Sequence, residues 1–152
     1  MPLLPPWAPN LHPLIIHFPI VLVLVAWAVD AASLFGKRAE RLAVASTWLY
    51  VGGALSAVVA AYTGWAGART VFTPGMAHGL IDDHRKWALV TTGLLVGFVV
   101  LRLALNAWIS RARAGRVLLV GLGLVLAVLI QQTAERGARL VYEQGVGVIS
   151  SD

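Results

Sequence analysis

Cysteine is missing from this 152-residue chain. Its absence excludes disulfides, thiolate zinc sites, iron–sulfur ligation and c-type haem attachment. Charge is scarce too: 12% of residues are Asp, Glu, Lys or Arg, about half the share of a soluble domain. No Gly-x-Ser-x-Gly frame surrounds Ser33, Ser46, Ser56, Ser110, Ser150 or Ser151, so the serine-hydrolase elbow is absent. The zinc-protease His-Glu-x-x-His motif, the P-loop and the dinucleotide fingerprint are absent as well. The pair Gly121-x-Gly123 lies in an apolar run and is too short to count.

What is abundant is apolar: 59% of residues are hydrophobic, and the mean hydropathy is +0.78. The composition therefore defines one compact membrane-embedded domain. The net charge of +5 does not point to nucleic acid, because the basic residues flank apolar runs, where they signal topology.

Four runs near the ~20 residues needed to cross hydrocarbon lie at about 14–35, 42–65, 87–109 and 117–134. None alternates with a two-residue period, so helices rather than a barrel satisfy the backbone in lipid. The expected fold is an all-α transmembrane four-helix bundle. Short basic loops at 36–41 and 110–116 hold Lys37, Arg38, Arg41, Arg111, Arg113 and Arg116. The positive-inside rule places these loops in the cytoplasm. Both termini and the outer loop 66–86 then face outward, as expected of a multi-pass bacterial inner-membrane protein. The first run lacks a basic leading segment and a small-x-small site, so it does not read as a cleaved signal.

Residues 63–75 and 133–145 share the frame Thr-x-x-x-Gly-Ala-Arg-x-Val-aromatic-x-x-Gly, ending the second and fourth spans. This echo predicts two parallel repeats, each a helical hairpin. Asp30 and Arg102 each fall roughly 16 residues from the outer start of their spans, at ~24 Å depth. Isolated charges at such depth pair or reach water. The expectation is an ion pair joining the hairpins, with a proton path as the alternative. Small residues in the spans, Gly52 with Gly53, Gly93 with Gly97, and Gly121 with Gly123, suit close helix packing or room for a flat cofactor.

The strongest functional signal is histidine placement. His12, His17, His78 and His84 are the only histidines, and all precede or open spans that start on the same side. Pro13 suits a first helical turn, and Pro19 removes the backbone donor that would bond residue 15. Asp82 or Asp83 is expected to cap the third span or to orient a histidine ring. Three readings follow. One is b-type haem ligated by imidazole, with His17 and His84 as the first axial pair and His12 and His78 as a second pair or supporting donors. Trp7, Phe18, Trp65, Phe72 and Trp87 would line the porphyrin, and Arg69 and Arg139 would meet the propionates. The second is a copper, zinc or iron site built from these histidines with Asp82 or Asp83. The third is interfacial anchoring of helix ends without a cofactor.

The segment His12-Pro13-Leu14-Ile15-Ile16-His17-Phe18-Pro19-Ile20 resembles the His-Pro-x-x-x-His-Phe-Pro opening of the bacterial membrane proteins called domain of unknown function 2231. The closing segment Val141-Tyr142-Glu143-Gln144-Gly145-Val146-Gly147-Val148 is similar as well, so the likeness covers nearly the whole chain. It implies four spans, and His12, His17 and His84 match the family's histidine positions. The family name supplies no activity. Fusion of some members to cytochrome-like domains associates the family with redox chemistry. The resulting expectation is a b-type haem protein or subunit that exchanges electrons with a quinol or an extracytoplasmic carrier. Its partners would be lipids and other membrane subunits or further copies of itself. A cofactor-free accessory subunit and a metal-binding protein are the alternatives.

Overall fold

The computed structural model describes residues 10–35, 37–109 (side chains to 105) and 112–148. The chain runs through α1 (His12–Ile15), α2 (His17–Ala32), α3 (Ala39–Gly67), a 3-10 turn (Gly75–Ala77), α4 (His78–Ile109) and α5 (Arg113–Tyr142). Among the described residues there is no strand. Four stretches are long and apolar enough to cross a membrane: His12–Ala32, Ala39–Gly67, Gly75–Leu105 and Arg113–Tyr142. Only 22% to 39% of their apolar windows is buried inside protein. The remainder presents residues such as Val21, Leu55, Leu94 and Val125 on the outside. An apolar exterior of this extent marks a membrane solvent, and the fold is an all-α polytopic bundle.

The helix limits follow local chemistry. Pro13 sits in the first turn of α1, where its missing donor is harmless. The helical run breaks at Ile16, where Pro19 withholds the donor for the residue 15 carbonyl. The segment 66–86, expected as a loop, is mostly helical. Hydropathy missed this because the charged turns of α4 are stabilised locally: Arg85 pairs with Asp82 at 2.9 Å. Neither Asp82 nor Asp83 caps a helix, since α4 already begins at His78 behind the 3-10 turn. At the far end, Gly145 adopts φ +63. The Val146 N–H donates to the Leu140 carbonyl and the Gly145 N–H to Val141, closing α5 with a left-handed glycine cap.

The four long helices form a closed antiparallel ring in which α2 and α4 each pack against α3 and α5. Val23, Tyr50, Ala54, Leu95, Phe98 and Leu126 lie at its centre. Small residues set some of the spacing. A Cβ on Gly53 would lie 3.0 Å from Val23, and Gly123 receives the Tyr50 ring edge. Gly93, Gly97 and Gly121 have nothing within 4 Å of such a Cβ among the described residues.

Buried positions of the two hairpins correspond closely. In α2 they are Pro19, Val23, Ala26 and Asp30. In α4 they are Thr91, Leu95, Phe98, Val99 and Arg102; all but Val99 lie 72 residues after a buried position of α2. The contacts thus match at 72, not at the 70-residue spacing of the Gly-Ala-Arg echo.

The last of these pairs is the expected ion pair. Arg102 Nη1 donates to Asp30 Oδ2 at 2.6 Å and Nη2 to Oδ1 at 2.7 Å. Nη2 also reaches Ser46 Oγ at 2.7 Å and the Ala43 carbonyl at 3.2 Å, and Nε donates to Thr47 Oγ1 at 2.8 Å. Arg102 is 1% exposed and Asp30 2%. Each charge is desolvated, and the two-pronged geometry offsets that cost. This network joins α2, α3 and α4 at the end of the bundle opposite the histidines.

Candidate functional site: a pair of anchored imidazoles

Two histidines turn into the bundle, one from each hairpin. His12 begins the first span, and its Nδ1 lies 3.0 Å from the Ala60 carbonyl of α3, with Thr63 Oγ1 at 3.4 Å. Its backbone N–H donates to Asn10 Oδ1 at 3.0 Å, which fixes the chain just before α1. His84 lies two turns into α4, and its Nδ1 lies 3.1 Å from the Thr133 carbonyl of α5. A carbonyl can only accept, so in both rings Nδ1 carries the proton and Nε2 keeps its lone pair.

Each ring rests on a glycine one turn beyond the carbonyl it bonds. A Cβ on Gly64 would lie 2.9 Å from His12 Cε1, and one on Gly137 would lie 3.0 Å from His84 Cε1. In each half, an imidazole from the opening helix meets a carbonyl and a glycine of the closing helix. His12 and His84 are 72 residues apart, while their carbonyls and glycines are 73 apart.

The other two histidines do not join them. His17 is exposed on the bundle's exterior. His78 is exposed too and meets only the Gly75 carbonyl at 3.1 Å. Arg69 lies beyond the end of α3, its guanidinium 3.8 Å from the Trp65 ring centre. Arg139 is engaged by Glu135 at 2.6 Å and by Glu143 at 4.0 Å. Phe18, Trp65 and Phe72 face outward, so they do not line the imidazole pair. Trp7 lies outside the described residues.

The surroundings of His84 are more polar than the sequence reading allowed. Asp83 pairs with Arg136 at 2.8 Å. The same guanidinium donates from Nη1 to the Gln132 carbonyl at 2.9 Å and to its side chain at 3.1 Å. It lies 4.0 Å from the Trp87 ring centre. Asp83 and Arg136 each precede a member of the His84–Gly137 contact, a link made only when α4 and α5 pack together. Thr91 Oγ1 and Thr133 Oγ1 bond at 2.9 Å just beneath. A cavity of about 160 Å³ opens beside this group, lined by Leu80, Asp83, Gln132, Glu135, Arg136 and Arg139.

Among the described residues no three His, Asp or Glu side chains converge as a metal site. Asp82, offered as a ligand by its sequence position, is held by Arg85, and Asp83 by Arg136. What the site presents is two imidazoles whose Nε2 atoms bond to no described residue. That donor set can bind a metal centre whose other positions are filled from elsewhere, or accept hydrogen bonds.

Fold and site together define a four-span helical membrane protein with a paired-histidine end. A model of the predicted membrane proteins of domain of unknown function 2231 matches residues 8–150, and the chain belongs to that family. Neither the curated proteins nor the solved structures yield a match.

Proposed function

We propose that the protein is a b-type haem-binding electron-transfer protein or subunit, with His12 and His84 as the axial ligands. The observation that carries the reading is the anchoring of both Nδ1 atoms on backbone carbonyls. Such an outer hydrogen bond fixes tautomer and ring orientation and raises the basicity of the ligating nitrogen. The donor number favours haem over a bare ion. A structural zinc site takes four protein ligands and a catalytic one three, and two are present. A porphyrin brings four nitrogens of its own, so two imidazoles complete six-coordinate iron. Bound haem would supply a one-electron iron couple.

The protein's own contribution is rigidity and placement. Gly64 and Gly137 let the rings lie against α3 and α5, and Asn10 holds the start of α1. Arg136, rather than Arg69 or Arg139, pairs with Asp83 next to His84. By the positive-inside rule, the basic loops favour an extracytoplasmic position for the histidine end in a bacterial inner membrane. Electrons would there be exchanged with a quinol or an extracytoplasmic carrier.

The test is an absorption spectrum of protein made with ample haem supply. A Soret band that shifts on reduction is expected, lost in His12→Ala and His84→Ala and kept in His17→Ala. A colourless protein, or a band indifferent to His12 and His84, refutes the reading. Elemental analysis separates haem iron from copper or zinc bound without porphyrin.

A further inference from the structure

Near the middle of the bundle two buried polar atoms lack partners. Tyr50 is wholly buried, yet its hydroxyl bonds to no described residue, and neither does the Trp27 indole nitrogen. Both side chains converge on one point of α5. A Cβ placed on Gly123 would collide with the Tyr50 hydroxyl and lie 3.3 Å from Trp27 Cδ1. Gly123 is itself buried. The glycine thus admits the Tyr50 hydroxyl from α3, with the edge of the Trp27 indole from α2 beside it.

We propose that the Tyr50 hydroxyl and the Trp27 N–H together hold one buried water molecule at the junction of α2, α3 and α5. The chemistry is complementary. The indole can only donate, while the hydroxyl donates one hydrogen and accepts two. A water accepts from the indole and shares a second bond with the hydroxyl, satisfying both groups. Waters buried in proteins serve groups of this kind and need two or more polar partners. The membrane strengthens the argument, because lipid offers these atoms nothing and an unsatisfied hydroxyl there is costly. Packing alone does not require the hydroxyl. The Tyr50 ring meets Phe98 edge-on at 5.0 Å, and Phe at position 50 would keep that contact with no polar atom to satisfy. The site is separate from the imidazole pair, so it stands or falls without the haem reading.

The experiment uses the full-length protein in micelles or nanodiscs. With nitrogen-15 in the tryptophans, the Trp27 indole proton, identified by its loss in Trp27→Phe, is expected to show a rotating-frame cross-peak to water. The cross-peak should weaken in Tyr50→Phe. In unfolding measurements Tyr50→Phe is expected to lower the folded-to-unfolded ratio roughly tenfold, the weight of one buried hydrogen bond. Its effect should be smaller in the Trp27→Phe background, because the water has then already lost a partner. No cross-peak in the unaltered protein overturns the proposal, as does Tyr50→Phe protein that is equally or more stable. The spectrum of the unaltered protein decides the matter even where a variant fails to fold.

Discussion

Replacing Arg102 by Met should destabilise the bundle by about 3–5 kcal/mol, the cost of leaving one member of a buried ion pair alone. The structure shows why the effect falls at the upper end of point mutations. The guanidinium makes five hydrogen bonds, two of them to Asp30. Without it, the 2%-exposed Asp30 carboxylate keeps only the Ser46 hydroxyl at 2.9 Å. Folding must then strand an anion in a low-dielectric core or protonate it. Removing both charges, as in Asp30→Leu with Arg102→Met, should recover most of the loss. With Asp30 gone, Ser46 can donate instead to the Ala43 carbonyl at 3.0 Å, as Thr47 does at 2.7 Å, so the double variant leaves no hydroxyl hydrogen unpaired. The assay is a double-mutant cycle on unfolding in mixed micelles, which isolates the coupling between the two sites. Single substitutions costing under about 1 kcal/mol, or a double variant costing the sum of both, would refute the reasoning.

Gly137→Ala should displace the His84 ring, whose Cε1 would lie 3.0 Å from the new methyl. A cost of about 1–3 kcal/mol is expected for such overpacking, read as reduced thermal stability and as a weakened Soret band if haem is present. Gly64→Ala should act in the same way on His12. Gly93→Ala and Gly97→Ala meet nothing within 4 Å, so stability should be unchanged or higher; a marked loss would show that another chain packs on that face of α4. Gly123→Ala should be destabilising, and less so in a Tyr50→Phe background, because the clash is with the hydroxyl. Gly145→Ala should fray the end of α5 at a cost of about 1 kcal/mol, since φ +63 disfavours a side chain; hydrogen exchange at Gly145 and Val146 would report it.

Much of this architecture is readable from residue order because lipid imposes strong constraints. Long apolar runs mark the spans, and one acid and one base at equal depth have few partners other than each other. The position of histidines near one end follows from span direction alone. Which of them turn inward does not. That depends on helical phase, and Pro19 breaks the helix between His12 and His17. Phase also explains the shifted register of the two hairpins. The Gly-Ala-Arg echo aligns letters at 70, whereas imidazole, carbonyl and glycine align at 72 and 73. Arg136 escaped notice because its role depends on α5 continuing past the apolar run to Tyr142, a helical extension that hydropathy does not register.

Asp30 and Arg102 occupy corresponding places in the two hairpins but bear opposite charge. Two copies of the first hairpin would set acid against acid, and two copies of the second would set base against base. Each half is thus built to reject its own likeness. Within the first hairpin the Asp30 carboxylate has a single hydroxyl, that of Ser46, and its cation must come from the third span.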